Sequence, residues 1–154
     1  MKILMVCLGN ICRSPLAQGI LQQKANIAGL NILVHSASTN SYHTGQPPHH
    51  LSVKVAAIHG INISKQQARK FTIADINTYV IIYAMATDVM QEMKLIAGTH
   101  WNARKVKLIT TEINKTLNIP DPYYGGIDGF YKVFNLLNAI CDAIIQKQLT
   151  NANK

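Results

Sequence analysis

The hydrophobic positions of the chain form short continuous runs that alternate with longer segments of helical spacing. A continuous apolar run of about four to eight residues is typical of a strand buried in a parallel sheet. Strands are predicted over residues 2–6, 31–36, 79–84 and 105–109. Helices are predicted over residues 15–28, 51–59, 64–70, 87–96 and from 128 onward. This alternation predicts an α/β fold of three layers, in which a four-stranded, parallel, twisted sheet carries helices on both faces.

The ends of the first and last predicted helices carry capping signals. Ser14 suits the N-cap of the first helix, and Pro15 suits its first position, where an N–H would be unpaired anyway. Gly29 would end that helix. Asp128 would open the last helix, whose apolar stripe, including Cys141, is predicted to be core. Ligands of such sheets bind beyond the carboxyl ends of the strands, so the segment after the first strand is the first place to look for a site.

Composition narrows the class of protein. The chain has 154 residues, 48% of them hydrophobic, which favours a single domain over residues 1–154. Its formal charge of +8 suits anionic ligands. There is no basic run interleaved with aromatics and no apolar stretch of about 20 residues, so we expect neither a nucleic-acid nor a membrane partner. Three scattered cysteines and no signal peptide predict a reducing compartment, the cytoplasm.

The segment Cys7–Pro15 joins the first strand to the first helix and carries the candidate chemistry. A loop that leads into a helix N-terminus directs its N–H groups towards an anion. Arg13 adds a planar cation that can bind two phosphate oxygens. Gly9 and Asn10 tolerate the left-handed backbone that a tight anion nest requires. Because helix ends and cations favour the thiolate, Cys7 would be a nucleophile directed at phosphorus.

A second candidate lies near the end of the chain. Asp121 stands in the segment Pro120–Gly126, where two prolines stiffen the backbone and two glycines permit a turn. A carboxyl group there could protonate the leaving oxygen of a phosphate monoester, which typically contributes about 10²–10⁴-fold in rate. The residue patterns alone leave plainer alternatives open. A cysteine after a strand can be core packing, and an Asp-Pro pair can be an ordinary turn.

Together the two segments resemble a known family. Cys7–Pro15, CLGNICRSP, is similar to the signature loop of the low-molecular-weight protein tyrosine phosphatases. Asp121–Gly126, DPYYGG, is similar to the acid loop of the same family, and the resemblance spans nearly the whole chain. It implies hydrolysis of phosphotyrosine in a phosphoprotein, with inorganic phosphate as the product and without a metal or other cofactor.

The resemblance also implies a role for each matching residue. Cys7 would attack phosphorus and form a phosphocysteine, and Asp121 would act first as general acid and then as general base. Asn10 would brace the loop, and the Ser14 hydroxyl would donate to the thiolate. Arg13 and the loop amides would hold the phosphate oxygens. The phosphate-binding residues implied in this way are Leu8, Gly9, Asn10, Ile11, Cys12, Arg13 and Ser14.

Aromatic residues would form the walls of the cleft. Tyr42 lies in the long loop over residues 37–50 and would stack on the phenyl ring of the substrate. Tyr123 and Tyr124 would form the opposite wall. An exposed loop residue without a role is the alternative for Tyr42.

Two loop residues carry narrower implications. Ile11 occupies a position that is usually threonine in the related arginine phosphatases, so isoleucine favours phosphotyrosine. Cys12 would form a reversible disulfide with Cys7 that shields it from overoxidation, as in family members. A small buried side chain is an equally weighted alternative for Cys12.

Four positions depart from the pattern of the family. An acidic residue is replaced by His49, an arginine by Leu51, a histidine by Gln66, and an aspartate by Ala86. In the family these positions mostly support the loop through hydrogen bonds. We therefore expect an active enzyme with a shifted pH profile or weak turnover.

Two other functions are compatible with the loop. An arsenate reductase of the same fold also uses a Cys-x5-Arg loop but needs two further cysteines, and only Cys141 is available. A catalytically weak phosphotyrosine-binding module is the second alternative. The intact set of Cys7, Arg13, Ser14 and Asp121 disfavours it.

Overall fold

A four-stranded parallel sheet forms the centre of the protein, and the computed structural model describes all 154 residues. The strands are β1 (Lys2–Cys7), β2 (Leu33–Ser38), β3 (Ile81–Ala84) and β4 (Val106–Leu108). They lie in the order β2-β1-β3-β4. The chain passes from β1 to β2 on one side of it and then crosses to β3 on the other side. The carboxyl end of β1 is therefore the point where ligands bind in doubly wound sheets.

Five α-helices surround this sheet. They are α1 (Arg13–Ile27), α2 (His50–Ile58), α3 (Ile73–Thr78), α4 (Thr87–Ala97) and α5 (Ile127–Ala152). Short 3-10 helices cover Gly98–His100 and Ile109–Ile113. None of the helices combines the length and the apolar character needed to cross a membrane. The predicted α/β class, with its parallel sheet, is confirmed.

Alternate residues of β1 bury their side chains in opposite layers. Ile3 and Met5 belong to the core cluster formed with α1 and α5, whereas Leu4 and Val6 belong to the cluster formed with α3 and α4. This period of two is what a strand covered on both faces requires. The apolar stripe of α5 is buried as predicted: Phe130, Val133, Phe134, Leu137, Ile140, Cys141 and Ile144.

The predicted N-cap of the first helix is wrong. Helix α1 begins at Arg13, and Cys12 is its N-cap residue, without a side-chain capping bond. The Ser14 hydroxyl does not cap the helix because it lies within hydrogen-bond distance of the Cys7 and Asn10 side chains. Gly29 does follow the helix, with a positive φ of 68°.

The predicted helix over residues 64–70 is also wrong. This segment is irregular and pairs with other chain segments: Lys70 bridges Ser38 at the end of β2, and the Ala68 N–H donates to the Gln46 carbonyl. Helix α3 was not predicted, although Thr72 and Asp75 form a capping box at its start. In residues 64–70, pairing with distant segments overrides the helical spacing of the sequence.

Smaller differences concern element ends. Strand β2 begins and ends two residues later than predicted, and β3 begins at Ile81 because the Tyr79 N–H still bonds to α3. Helix α5 begins at Ile127, one residue before Asp128. It continues to Ala152.

Truncation of one buried residue of α5 should test this core. Leu137 is fully buried, so Leu137→Ala should lower the free energy of unfolding by about 2–5 kcal/mol. Leu95→Ala on α4 is the matched control, since Leu95 is 83% exposed and its removal should change stability by less than about 0.5 kcal/mol. Urea denaturation measures both. Equal losses would contradict the assignment of α5 to the core.

Candidate active site

A cavity of about 220 Å³ opens at the carboxyl end of β1. The loop between β1 and α1 forms its floor, and segments near residues 40–43 and 121–124 form its rim. The lining residues are Cys7, Leu8, Gly9, Ile11, Cys12, Arg13, Asn40, Tyr42, His43, Asp121, Tyr123 and Tyr124. Ten of these are residues that the sequence predicts for the site. The two other predicted residues, Asn10 and Ser14, contact Cys7 directly.

Cys7 is held at the floor of this cavity by two groups. Its Sγ lies 3.0 Å from the Ser14 Oγ, and the main-chain N–H of Asn10 donates to it at 3.3 Å. Only 2% of the Cys7 surface is exposed. Four other N–H groups of the loop have no hydrogen-bond acceptor within the protein: those of Leu8, Gly9, Ile11 and Cys12. Free N–H groups around a sulfur at a helix N-terminus form an anion-binding nest.

The Asn10 side chain holds the shape of the loop. Its backbone is left-handed, with φ of 59°, which asparagine tolerates better than most residues. Its Nδ2 donates to the Ser14 Oγ at 2.7 Å and to the Ser36 Oγ at 2.9 Å. Its Oδ1 accepts the Arg69 main-chain N–H at 3.1 Å. One amide thus joins the loop, α1, β2 and the segment before α3.

Arg13 lines the same cavity and is almost fully buried. Its Nη1 donates to the Ile119 carbonyl at 3.1 Å. Its Nη2 lies 3.6 Å from the Asp121 Oδ2, and the Asp121 side chain is 43% exposed. The Tyr123 N–H donates to the Asp121 Oδ1 at 3.1 Å. Nucleophile, cation and carboxyl group therefore share one cavity, although Cys7 and Asp121 are far apart in the chain.

The segment that carries Asp121 is attached to the end of β3. The Ile119 N–H donates to the Met85 carbonyl at 2.8 Å. Next to it, the Asn118 Oδ1 accepts the Thr87 N–H at 2.9 Å. The N-cap residue of α4 is Ala86, which makes no side-chain capping bond. Asn118 therefore supplies the capping oxygen that the departure at Ala86 leaves missing.

Aromatic side chains surround the mouth of the cavity. Tyr42 is 83% exposed, and the rings of Tyr123 and Tyr124 make an edge contact with centroids 4.8 Å apart. His43 was not among the predicted site residues. The His43 ring lies close to Gly9: a Cβ on residue 9 would be only 3.1 Å from the His43 Cδ2. The absence of a side chain at Gly9 therefore leaves room for the ring. The position of His43 in the predicted long loop was the only sequence signal for it.

Comparison with known proteins identifies the family of this chain. The sequence pattern of the Low molecular weight phosphotyrosine protein phosphatase family matches residues 2–154. The chain belongs to this family. It is a cysteine-based protein tyrosine phosphatase, as the sequence resemblance implies. A low molecular weight protein-tyrosine-phosphatase of Bacillus subtilis, YfkJ, is 33% identical over 96% of this chain and 97% of its own.

Solved structures agree with that assignment. A protein tyrosine phosphatase from Entamoeba histolytica superposes with a TM-score of 0.89 at 32% identity, over 99% of both chains. Vibrio vulnificus Wzb, solved in complex with benzylphosphonate, superposes with a TM-score of 0.85 at 30% identity, over 95% of this chain and 97% of its own. An arginine phosphatase, YwlE, is 22% identical, and its likeness shows the fold alone.

The departures of this phosphatase from the family pattern at the start of α2 lie where they support the loop between β1 and α1. His49 is the N-cap of α2, where its Nδ1 accepts the Leu51 N–H at 3.1 Å. The His49 N–H donates to the Ile11 carbonyl at 2.8 Å, and its ring packs on Phe130 with centroids 4.9 Å apart. Partial burial, reinforced by the neighbouring His50, lowers the pKa of His49. His49 thus supports the loop as a neutral residue.

Gln66, the departure at the family's histidine, lies behind the loop. Its Nε2 donates to the Pro15 carbonyl at 3.2 Å, whereas its buried Oε1 has no partner within the protein. It lines a second, polar cavity together with Gln18 and Ser36.

Cys12 lies on the floor of the cavity but in a different environment from Cys7. Burial, followed by the proximity of Cys7 and Asp121, raises the pKa of Cys12 to about 12, against the opposing influence of Arg13. Cys12 is therefore a neutral thiol near pH 7. Its carbonyl accepts the Ser52 hydroxyl at 3.3 Å, which ties the loop to α2.

Replacement of Asn10 should separate backbone conformation from hydrogen bonding. Asn10→Gly keeps the left-handed conformation but removes three side-chain hydrogen bonds, so activity should fall by roughly tenfold or more as the loop loses its fixed geometry. Asn10→Ala should be less stable than Asn10→Gly by about 1 kcal/mol, because alanine also pays for the left-handed backbone. Urea denaturation and turnover measure the two effects. If Asn10→Ala were the more stable variant, backbone conformation would not be the reason for asparagine.

Proposed function

We propose that residues 1–154 form one catalytic domain that hydrolyses phosphotyrosine in phosphoproteins, with Cys7 as its nucleophile. The observation that carries this proposal is the environment of the Cys7 Sγ. The Asn10 N–H donates to the sulfur, the Ser14 hydroxyl lies 3.0 Å from it, and four unpaired N–H groups belong to the same loop at the N-terminus of α1. Such an arrangement can hold the oxygens of a phosphoryl group against the sulfur.

In the first step, the phosphoryl group binds between the loop N–H groups and the Arg13 guanidinium. The Cys7 thiolate attacks phosphorus, and the bond between phosphorus and the tyrosyl oxygen breaks. Asp121 gives its proton to that oxygen, which leaves as a neutral phenol. The fixed N–H dipoles and Arg13 stabilise the charge on the equatorial oxygens during the transfer.

In the second step, water attacks the phosphocysteine. Asp121, now a carboxylate, takes a proton from the water, and the sulfur–phosphorus bond breaks. The Ser14 hydroxyl, 3.0 Å from the Sγ, donates to the sulfur as it leaves with the electron pair. Inorganic phosphate is released, and the thiolate is restored.

The rim supports an aromatic phosphate ester as the substrate. Tyr42 on one side and Tyr123 with Tyr124 on the other provide rings that can stack on a phenyl group. Ile11 is an apolar lining residue at the position that distinguishes arginine phosphatases. The benzylphosphonate bound by the Vibrio vulnificus relative is also an aromatic phosphoryl compound. A cytoplasmic location is part of this proposal, since Cys7 acts as a free thiol.

Removal of the nucleophile tests the first step. Cys7→Ser should abolish hydrolysis of p-nitrophenyl phosphate but retain binding of inorganic phosphate, because the nest and Arg13 remain. Cys141→Ala is the matched control: it removes a thiol from the core of α5 and should leave turnover intact below its unfolding temperature. Steady-state kinetics and calorimetry measure the two properties. Unchanged hydrolysis by Cys7→Ser would exclude the mechanism.

The identity of the leaving group tests Asp121. Asp121→Ala should slow hydrolysis of phosphotyrosine by about 10²–10⁴-fold, since a tyrosyl oxygen needs a proton to leave. Hydrolysis of p-nitrophenyl phosphate should fall far less, because p-nitrophenolate leaves without one. Asp128→Ala removes a carboxylate from the first turn of α5 and should leave both rates unchanged. Equal losses on both substrates in Asp121→Ala would assign Asp121 a role other than general acid.

Mild oxidation tests the predicted role of Cys12. Hydrogen peroxide should convert Cys7 to a sulfenic acid, which the Cys12 thiol then attacks with release of water to form a disulfide. Peptide mass spectrometry should find the Cys7–Cys12 link, and dithiothreitol should restore activity. Cys12→Ser should lose activity irreversibly under the same treatment. Full recovery of the oxidised Cys12→Ser variant would assign Cys12 to packing alone.

A further inference from the structure

We propose that Gln18, on α1, is a positioning residue for the Cys7 thiolate. It accepts the hydrogen of Ser36 and so fixes the direction of a hydrogen-bond chain that ends with Ser14 donating to the sulfur. The chain runs from Gln18 through Ser36, Asn10 and Ser14 to Cys7. This inference deepens the proposed function and depends on it for its catalytic meaning.

The orientation of the Asn10 amide sets the direction of the chain. Its Oδ1 accepts the main-chain N–H of Arg69 at 3.1 Å. A main-chain N–H can only donate, so the atom facing it must be the oxygen. The nitrogen of the amide therefore faces the two serine hydroxyls, and each of its two hydrogens goes to one of them.

The direction of the Ser14 hydroxyl follows. Its oxygen accepts from the Asn10 Nδ2 at 2.7 Å, and a hydroxyl has one hydrogen of its own. That hydrogen cannot point to Asn10, whose nitrogen has no acceptor site. The Cys7 Sγ, 3.0 Å away, is the other side-chain partner of the Ser14 oxygen. Ser14 is therefore the donor, and a donor stabilises the thiolate over the thiol.

Ser36 accepts the second hydrogen of the Asn10 amide, as Ser14 accepts the first. Its oxygen accepts from the Asn10 Nδ2 at 2.9 Å, so its own hydrogen also needs an acceptor elsewhere. The Gln18 Oε1 lies 2.6 Å from the Ser36 Oγ and accepts that hydrogen. Without it, Ser36 would be left with an unpaired hydrogen and would have to turn, which loosens Asn10 and with it the donor to Ser14.

Gln18 can be changed without disturbing the core. It is half-buried and lies in the wall of a polar cavity of about 320 Å³ behind the loop, together with Gln66 and Arg69. The titratable and charged groups that line the cavity with Cys7 are Cys12, Arg13, Tyr42, His43, Asp121, Tyr123 and Tyr124, and a change at Gln18 leaves all of them in place.

The test compares Gln18→Met with the unchanged protein. Methionine preserves the length of the side chain but cannot accept a strong hydrogen bond. The pH dependence of Cys7 alkylation by iodoacetamide reports the thiolate fraction of Cys7, since the raised pKa of Cys12 keeps that residue protonated over the same pH range. We expect the pH midpoint of alkylation to rise by about half a pH unit to one, a three- to tenfold lower thiolate fraction at a given pH. The kcat/KM below that midpoint should fall by the same factor.

Two further variants keep the test specific. Gln23→Met on the same helix removes a hydrogen bond to the Gly60 carbonyl, outside the chain of bonds, and should leave the midpoint unchanged. Ser36→Ala should raise the midpoint at least as much as Gln18→Met. In the Ser36→Ala background, Gln18→Met should add nothing, because both act through the same hydrogen bond.

The outcomes separate this inference from the proposed function. A wild-type midpoint in Gln18→Met, or additive shifts of Gln18→Met and Ser36→Ala, would overturn the positioning role while leaving Cys7 catalysis intact. An inactive wild-type protein would overturn the proposed function. The midpoints of alkylation would still report whether Gln18 acts on the sulfur.

Discussion

The three hydrogen bonds of the Asn10 side chain are the constraint on which the site depends. They join the loop to Ser14 on α1, to Ser36 on β2 and to the main chain at Arg69. The Asn10 backbone is left-handed, so the loop turns back on itself there and its own N–H meets the Cys7 sulfur. A buried amide that donates both of its hydrogens and whose oxygen accepts a main-chain N–H has one orientation. That single orientation determines which groups around the sulfur donate and which accept.

The second constraint brings the two ends of the chemistry together. Arg13 donates to the Ile119 carbonyl, and the Ile119 N–H donates to the Met85 carbonyl at the end of β3. The main chain just before Asp121 is therefore attached both to the cation of the loop and to the central sheet. The carboxyl group itself stays partly exposed, and its tether to Arg13 is a long 3.6 Å ion pair. This suits a group that must meet substrate, leaving phenol and water in turn.

Much of this could be predicted from the sequence, because the strongest signals are local. Continuous apolar runs predict the parallel strands, and the spacing of Cys7, Arg13 and Ser14 before a helix predicts the anion nest. The predictions that failed concern segments whose structure comes from distant partners. Residues 64–70 have helical spacing, yet their main chain pairs with Ser38 and Gln46. The capping preference of Ser14 failed for another reason: its hydroxyl contacts Cys7, as the family resemblance implied, and also Asn10. Gln18 carries no signal of its own and His43 none beyond its place in the long loop, since only the fold brings them beside the loop between β1 and α1.

The central claim is that phosphate is transferred to the Cys7 sulfur. Rapid acid quench of the wild-type enzyme during turnover of a phosphotyrosyl peptide, followed by peptide mass spectrometry at low pH, tests it most directly. The account predicts one added phosphoryl group on the peptide that contains Cys7, localised to the sulfur and lost when turnover ends. A phosphoryl group on any other residue, or full turnover with no phosphoryl-enzyme at any quench time, would contradict it.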